Sequence, residues 1–366
     1  MPYLQRISKI QAVLRRKKLD ALLVSQPCNR RYLSGYSALD HGIEESAGLL
    51  LIPAKGDARL LTDFRFKLQA EAEAAFLTVI LYTKGVPALL QELLPELSIR
   101  TLAFESHYTL HSFAEKLSAL GQKIGVQMVP VMECVEAFRV IKEEVEIEAM
   151  QAAVALNEKV FEEVFPTIAS GRTEGEIARQ LESTMYSLGA QSPSFSTIVA
   201  TGPNSALPHA VPGVTKVEAG QPVMVDMGLI LNGYCSDMTR TFVVGEPDSR
   251  YLAIHRLVRR AQLAAMAEIR EGVEAAHVDK IARDIIAEAG YGPAFGHSLG
   301  HGVGLAVHEE PRLSSRNGKK LRAGMVVTVE PGIYIPGWGG VRLENMVVVR
   351  ADGCELLNKN STWLDL

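Results

Sequence analysis

The chain has 366 residues, and 38 Lys and Arg against 42 Asp and Glu give a formal net charge of −4. That balance excludes a strongly basic nucleic-acid binder. Hydrophobic residues at 47% and charged residues at 22% exclude a disordered or collagen-like chain, and the length predicts two domains or one large one.

The four cysteines, Cys28, Cys134, Cys235 and Cys354, are widely spaced and form no C-x-x-C. A zinc ribbon, a thioredoxin-type dithiol and a dense disulfide framework are therefore not expected, and the thiols are expected to stay reduced in a cytoplasmic protein. No apolar run approaches the roughly 18 residues of a membrane span. The basic run Arg15–Lys18 reads as a solvated helix face.

In chain order, Ile7, Ile10 and Leu14 predict a first helix, and residues 21–25 a strand. Residues 47–52 and 58–62 predict a hairpin pair around Lys55-Gly56-Asp57. Residues 64–75 are rich in Ala and Glu and predict a helix. Residues 78–82, 101–104 and 127–131 predict further strands. Strands alternating with helices argue for an α/β layer domain over residues 1–132. No G-x-G-x-x-G follows a strand there. From Lys142 a charged amphipathic helix runs toward Pro166 and marks a domain joint, so a second domain is expected over 133–366. Thr173-Glu174-Gly175-Glu176 has the pattern of a capping box, opening a helix that stops at Gly189. After Ser194 the chain turns glycine-rich and β-like, interrupted by helices at about 249–270 and 274–289.

Three clusters carry the chemistry. In residues 223–239 two apolar runs flank Asn232-Gly233, a strong type I′ hairpin signal. With that turn, Leu231 pairs with Tyr234, Gly228 with Asp237 and Asp226 with Thr239. Asp226 and Asp237 then share one face as diagonal neighbours, about 7–8 Å apart at Cα. Asp is depleted in strand interiors, so the choice lies between a solvent-facing edge and a hard-cation site. The second cluster, residues 295–311, holds His297, His301 and His308 among glycines that permit close backbone approach. Gly296-His297-Ser298-Leu299-Gly300 matches G-x-S-x-G, but it lacks the flanking strand and helix and the downstream acid that a serine hydrolase needs. Arg312 stands where H-E-x-x-H would require a second His. In the third cluster, Glu330 ends an apolar strand and Glu344 sits inside another, with Arg342 on the same face. A carboxylate on a buried strand needs a partner or a metal, and an Arg342–Glu344 surface ion pair is the plain alternative.

Asp226, Asp237, His301, Glu330 and Glu344, in that order, resemble the metal ligands of the "pita-bread" metallopeptidases, family M24. The phrases Gly202-Pro203-Asn204-Ser205-Ala206-Leu207-Pro208-His209, Asn232-Gly233-Tyr234-Cys235-Ser236-Asp237 and Val329-Glu330-Pro331-Gly332-Ile333-Tyr334 are most similar to its Xaa-Pro branch, aminopeptidase P and prolidase. Asn29–Gly35 and Thr62–Arg65 more weakly resemble that branch's N-terminal domain. Asn345 is a departure, because the family often has a second acid there.

The resemblance implies a creatinase-like α/β N-terminal domain followed by an α+β pita-bread catalytic domain. It implies two divalent ions, Mn first with Co or Zn as alternatives. Asp237 and Glu344 would bridge the two. Asp226 would complete one ion's shell, and His301 with Glu330 the other's. Glu330 would also shuttle a proton to the leaving nitrogen. His308 would stabilise the oxyanion, His209 would bind near the substrate amide, and Arg342 would orient the peptide. His297 is expected to serve loop structure. The implied activity is removal of the residue before proline from a peptide N terminus, by a homodimer without nucleic-acid or membrane partners. An Xaa-Pro dipeptidase is the alternative. A creatinase-like hydrolase or a non-catalytic binding protein on the same fold is more remote.

Overall fold

The computed structural model describes residues 2–366, which form two units, one ending at Arg139 and the other spanning Val140–Leu366. The first unit is built on a six-stranded sheet. Its strand order is Thr78–Leu81, Arg59–Thr62, Leu49–Pro53, Ala21–Val24, Thr101–Glu105 and Gln127–Val131. Only Leu49–Pro53 runs antiparallel to its neighbours. Ala21–Val24 is buried at every position, as a strand covered on both faces should be. Leu23, Leu51, Leu61 and Leu102 pack with Leu90, Leu94 and Leu117 from helices Val86–Glu96 and His111–Ile124. Ile10 and Leu14 of helix Pro2–Lys17 are fully buried, so the apolar stripe seen in the sequence is a core face.

This unit runs past residue 132 to include the short helix Glu136–Arg139. The reason is a polar contact that spacing alone does not show. Arg139 Nη1 donates to Asn29 Oδ1 at 2.7 Å, and Asn29 Nδ2 donates to Glu105 and Glu136. The segment expected as one helix over 64–75 is a 3-10 turn, Phe64–Phe66, followed by helix Lys67–Glu73. Helix Pro27–Ser34 was not anticipated from the apolar pattern. Gln26 caps its start, and Gly35 ends it with φ 75°.

In the second unit, a three-stranded sheet holds Ile198–Thr201, Pro222–Met227 and Met238–Val243, all antiparallel. A five-stranded sheet runs in the order Glu309–Leu313, Gly300–Gly302, Val326–Val329, Asn345–Val349 and Cys354–Leu356. Helices Glu144–Val164 and Glu174–Ser187 pack on the first sheet through Val160, Phe161, Leu181 and Met185. Helices Ser249–Glu268 and Ala275–Glu288 pack on the second through Ile254, Val258, Val278 and Ile286. Both reciprocal bonds of the Thr173–Glu176 capping box form. Each helix pair thus backs one sheet, leaving the sheets' other faces to build the site. No helix among the described residues is long and apolar enough to cross a membrane.

Candidate metal centre

The Asn232-Gly233 turn sets the register of the first acidic pair. Both residues have positive φ, 52° and 85°, and Leu231 faces Tyr234 across the turn. Asp226 then lies directly opposite Thr239, and Met227 opposite Met238. Gly228 cannot be replaced. A Cβ there would come within 2.2 Å of the Ser236 carbonyl and 2.3 Å of Ser194 Oγ. Both acids are buried, with 9% of Asp226 and 5% of Asp237 exposed, so the solvent-edge alternative does not hold.

His301 enters from strand Gly300–Gly302, squeezed between two neighbours. A Cβ on Gly300 would meet the Thr328 carbonyl at 2.0 Å, and one on Gly302 the Glu310 carbonyl at 2.2 Å. The glycines around this histidine therefore reflect close backbone packing. Glu330 follows strand Val326–Val329, and its amide donates to the Leu299 carbonyl at 2.8 Å. Glu344 is not inside a strand. It lies between Gly339–Arg342 and Asn345–Val349, which belong to different sheets. Its backbone leaves one ladder for the other there, with its amide donating to the Thr239 carbonyl at 3.1 Å.

These elements bring the five residues together. Ligand atoms of Asp237, His301 and Glu344 all lie within 4.8 Å of one another. His301 Nε2 is 3.6 Å from Asp237 Oδ2 and 3.4 Å from Glu330 Oε1. Burial, with Glu344, Asp226 and Glu330 nearby, pushes the Asp237 carboxyl well up, and burial with Glu330 and Asp226 does the same to Glu344. Burial pushes Glu330 up to about 7. Burial lowers His301 to about 3, so its imidazole is neutral and able to ligate. Four clustered carboxylates repel one another without a cation. Asp226 Oδ1 is buried with no hydrogen-bond partner, which leaves a lone pair free for one. The donor set, oxygen plus one imidazole and no thiolate, fits Mn²⁺, Co²⁺ or Zn²⁺.

Around the cluster, threonines and an arginine fix the carboxylates. Thr239 Oγ1 donates to Glu344 Oε2 at 2.7 Å, and Thr328 Oγ1 to Glu330 Oε1 at 3.2 Å. Arg342, expected as a peptide anchor, lines the cleft and is also bound to the cluster. It is buried, and Nη2 donates to Asp226 Oδ2 at 2.6 Å. Nη1 donates to Tyr334 Oη and the Pro208 carbonyl, and Nε to Thr239 Oγ1. With four of its five donors so used, Arg342 holds Asp226 while still lining the cleft, and it does not pair with Glu344. His297 bonds to the Ser298 carbonyl and to Tyr334 Oη, tying the loop to the same network. Asn345 Oδ1 accepts from the buried Arg240, whose Nη1 also holds the Glu344 carbonyl at 2.6 Å.

A cleft of about 600 Å³ opens over the cluster and is lined by His209, His308, Phe195 and Arg312 as well as the four acids and His301. His209 and His308 are exposed at it, and the His308 ring lies 4.4 Å from that of His301, edge-on. Arg312 joins these residues although no motif in the sequence marks it. It is exposed on strand Glu309–Leu313 between two buried neighbours, and its guanidinium is unpaired among the described residues. The alternation of residues 311–313 is the signal that could have found it.

Comparison with known proteins gives a consistent result. A family model described as metallopeptidase family M24 matches residues 148–351, and one described as the creatinase/prolidase N-terminal domain matches residues 6–141. The chain is 36% identical to an Xaa-Pro dipeptidase of Pyrococcus horikoshii, over 98% of each chain. It is similar to the solved structure of an Xaa-Pro dipeptidase from Bacillus anthracis, with TM-score 0.91, 36% identity and 98% of each chain covered. It is also similar to that of an X-Pro aminopeptidase from Thermotoga maritima, with TM-score 0.85 and 36% identity, over 94% of this chain and 96% of that one.

Proposed function

The chain belongs to metallopeptidase family M24, and from that premise we propose that it is a two-metal exopeptidase hydrolysing the bond between an N-terminal residue and proline. The observation that carries the reading is the buried convergence of Asp237, His301 and Glu344 donors, with Asp226 and Glu330 beside them. Asp226, Asp237, His301, Glu330 and Glu344 would hold two divalent cations, Asp237 and Glu344 as ligands central to both; Mn²⁺ is the first choice. When bound, such a pair supplies a water of lowered pKa and an electrophile for the scissile carbonyl.

The chain's own residues do the rest. Glu330 carries the proton from the attacking water to the leaving nitrogen of proline. His308, exposed at the cleft, donates a hydrogen bond to the developing oxyanion. His209, just after the 3-10 segment Gly202–Ala206, reaches the substrate amide from the cleft wall. Arg342 and Thr239 hold Asp226 and Glu344 in place while charge moves. A cytoplasmic homodimer completes the proposal.

Arg312 favours a second reading, the Xaa-Pro dipeptidase. An unpaired guanidinium in the cleft is suited to the free carboxylate of a dipeptide, through two parallel hydrogen bonds. Metal-stripped protein with and without Mn²⁺, offered Ala-Pro and Ala-Pro-Ala, tests both. Cleavage of both peptides, only with metal, establishes the aminopeptidase. Cleavage of Ala-Pro alone, with KM raised at least about tenfold in Arg312→Ala, establishes the dipeptidase. Cleavage of neither while metal is bound contradicts the proline specificity.

A further inference from the structure

A cavity of about 1030 Å³ lies wholly within the first unit, larger than the cleft at the metal cluster and built from none of its residues. Ser25, Asp63 and Tyr82, which line it, each immediately follow a strand: Ala21–Val24, Arg59–Thr62 and Thr78–Leu81. It thus opens at the carboxyl ends of parallel strands, where open α/β sheets bind their ligands. Nothing in the proposed reaction uses it.

Several of its polar groups lack partners among the described residues. The Asp40 side chain is 5% exposed. Its Oδ1 accepts from Arg30 Nη2 at 2.9 Å and from the Ala47 amide at 2.7 Å. Its Oδ2 is buried with no partner among the described residues, although Asp40 lines the cavity. A buried carboxylate oxygen left unpaired is costly, and a ligand donor would remove that cost. Tyr82 and Tyr108 also line the cavity, and their hydroxyls make no hydrogen bond among the described residues. Burial pushes both phenols up, so they stay neutral donors. Lys84 and Lys116, on different elements of the rim, are exposed and unpaired among the described residues. Between them the wall is apolar, from Leu49, Phe113 and Leu120.

We infer that this cavity binds a short peptide in its zwitterionic form, with the ammonium on Asp40 Oδ2 and the carboxylate on Lys84 and Lys116. An acceptor carboxylate, a separate cationic rim and an apolar wall are what such a ligand needs. The volume suits two or three residues, since an extended tripeptide spans about 10 Å. The inference rests on the first unit alone and does not depend on the proposed hydrolysis.

Calorimetric titration of the metal-stripped full chain with trileucine, which contains no proline, tests it. One site per chain is expected. Asp40→Asn and Tyr108→Phe should each weaken binding, the first at least tenfold. Ala119→Trp, which fills the cavity from an exposed helical position, should abolish it. Asp237→Asn, in the other unit, should leave it unchanged. Trileucine acetylated at its N terminus and amidated at its C terminus should not bind. Asp40 also holds Arg30, so if the Asp40 variant fails to fold, Ala119→Trp and Tyr108→Phe carry the test. Absence of binding, or binding that survives Ala119→Trp, overturns the inference. Free leucine binding as tightly as trileucine overturns its peptide part and assigns the cavity to an amino acid.

Discussion

Asp237→Asn should strip the protein of its divalent metal and lower Xaa-Pro hydrolysis by at least about a hundredfold, the upper end of what loss of an outer-shell partner costs a metal site. It should do so without unfolding the chain. Asp237 sits buried beside Asp226, Glu330 and Glu344, all of the same sign, and without a cation this grouping opposes folding. Removing one charge while keeping the side-chain shape relieves that repulsion. The thermal midpoint of metal-free Asp237→Asn should therefore equal or exceed that of the metal-free parent. Added Mn²⁺ should stabilise the parent and not the variant, because only a ligand that binds the native state raises stability. Thermal melts of both proteins, with and without Mn²⁺, read all of this. A variant that keeps full metal content and full activity would remove Asp237 from the site.

The second large effect is expected at Arg342. Its guanidinium is 2% exposed and meets Asp226, Tyr334 and Thr239 at once. Arg342→Leu leaves the Asp226 carboxylate buried without its cation, a loss that typically costs about 3–5 kcal/mol. Metal affinity should fall by about 10–100-fold as well, because the Asp226 ligand is no longer oriented. Arg342→Lys keeps the charge but cannot reproduce three contacts in one plane, so it should fall between the two. Urea unfolding of the three proteins, followed by metal titration of those that fold, separates stability from ligation. If Arg342→Leu were as stable as the parent and raised only KM, Arg342 would be a substrate anchor after all.

The four acids and the histidine were legible because each stands in a local pattern. Asp226 and Asp237 could be set on one face from Asn232-Gly233 alone, since a two-residue turn leaves one register, and the pairing of Leu231 with Tyr234 and Asp226 with Thr239 follows it. Helix starts were legible where a side chain caps them, as at Thr173. Contacts between distant segments were not. Thr239 and Glu344 are far apart in sequence, as are Arg342 and Asp226, and no spacing rule joins them. Arg342 therefore read as a partner for Glu344 or for the peptide, when its carboxylate partner is Asp226, in another sheet. Glu344 read as a strand residue because apolar residues surround it. The backbone in fact leaves one sheet for another there, and alternation cannot reveal such a crossing. The end of the first unit was hidden for a similar reason, since Arg139 is held by Asn29.

Four buried carboxylates and an imidazole at this spacing are built to hold two divalent cations. The most direct measurement is the number of Mn²⁺ ions bound per chain at saturation, by elemental analysis after gel filtration, alongside recovery of Ala-Pro hydrolysis in the same samples. Two ions per chain, with hydrolysis rising as they bind, is the expected result. Full hydrolysis by protein holding no metal, or a chain that binds none, would contradict it.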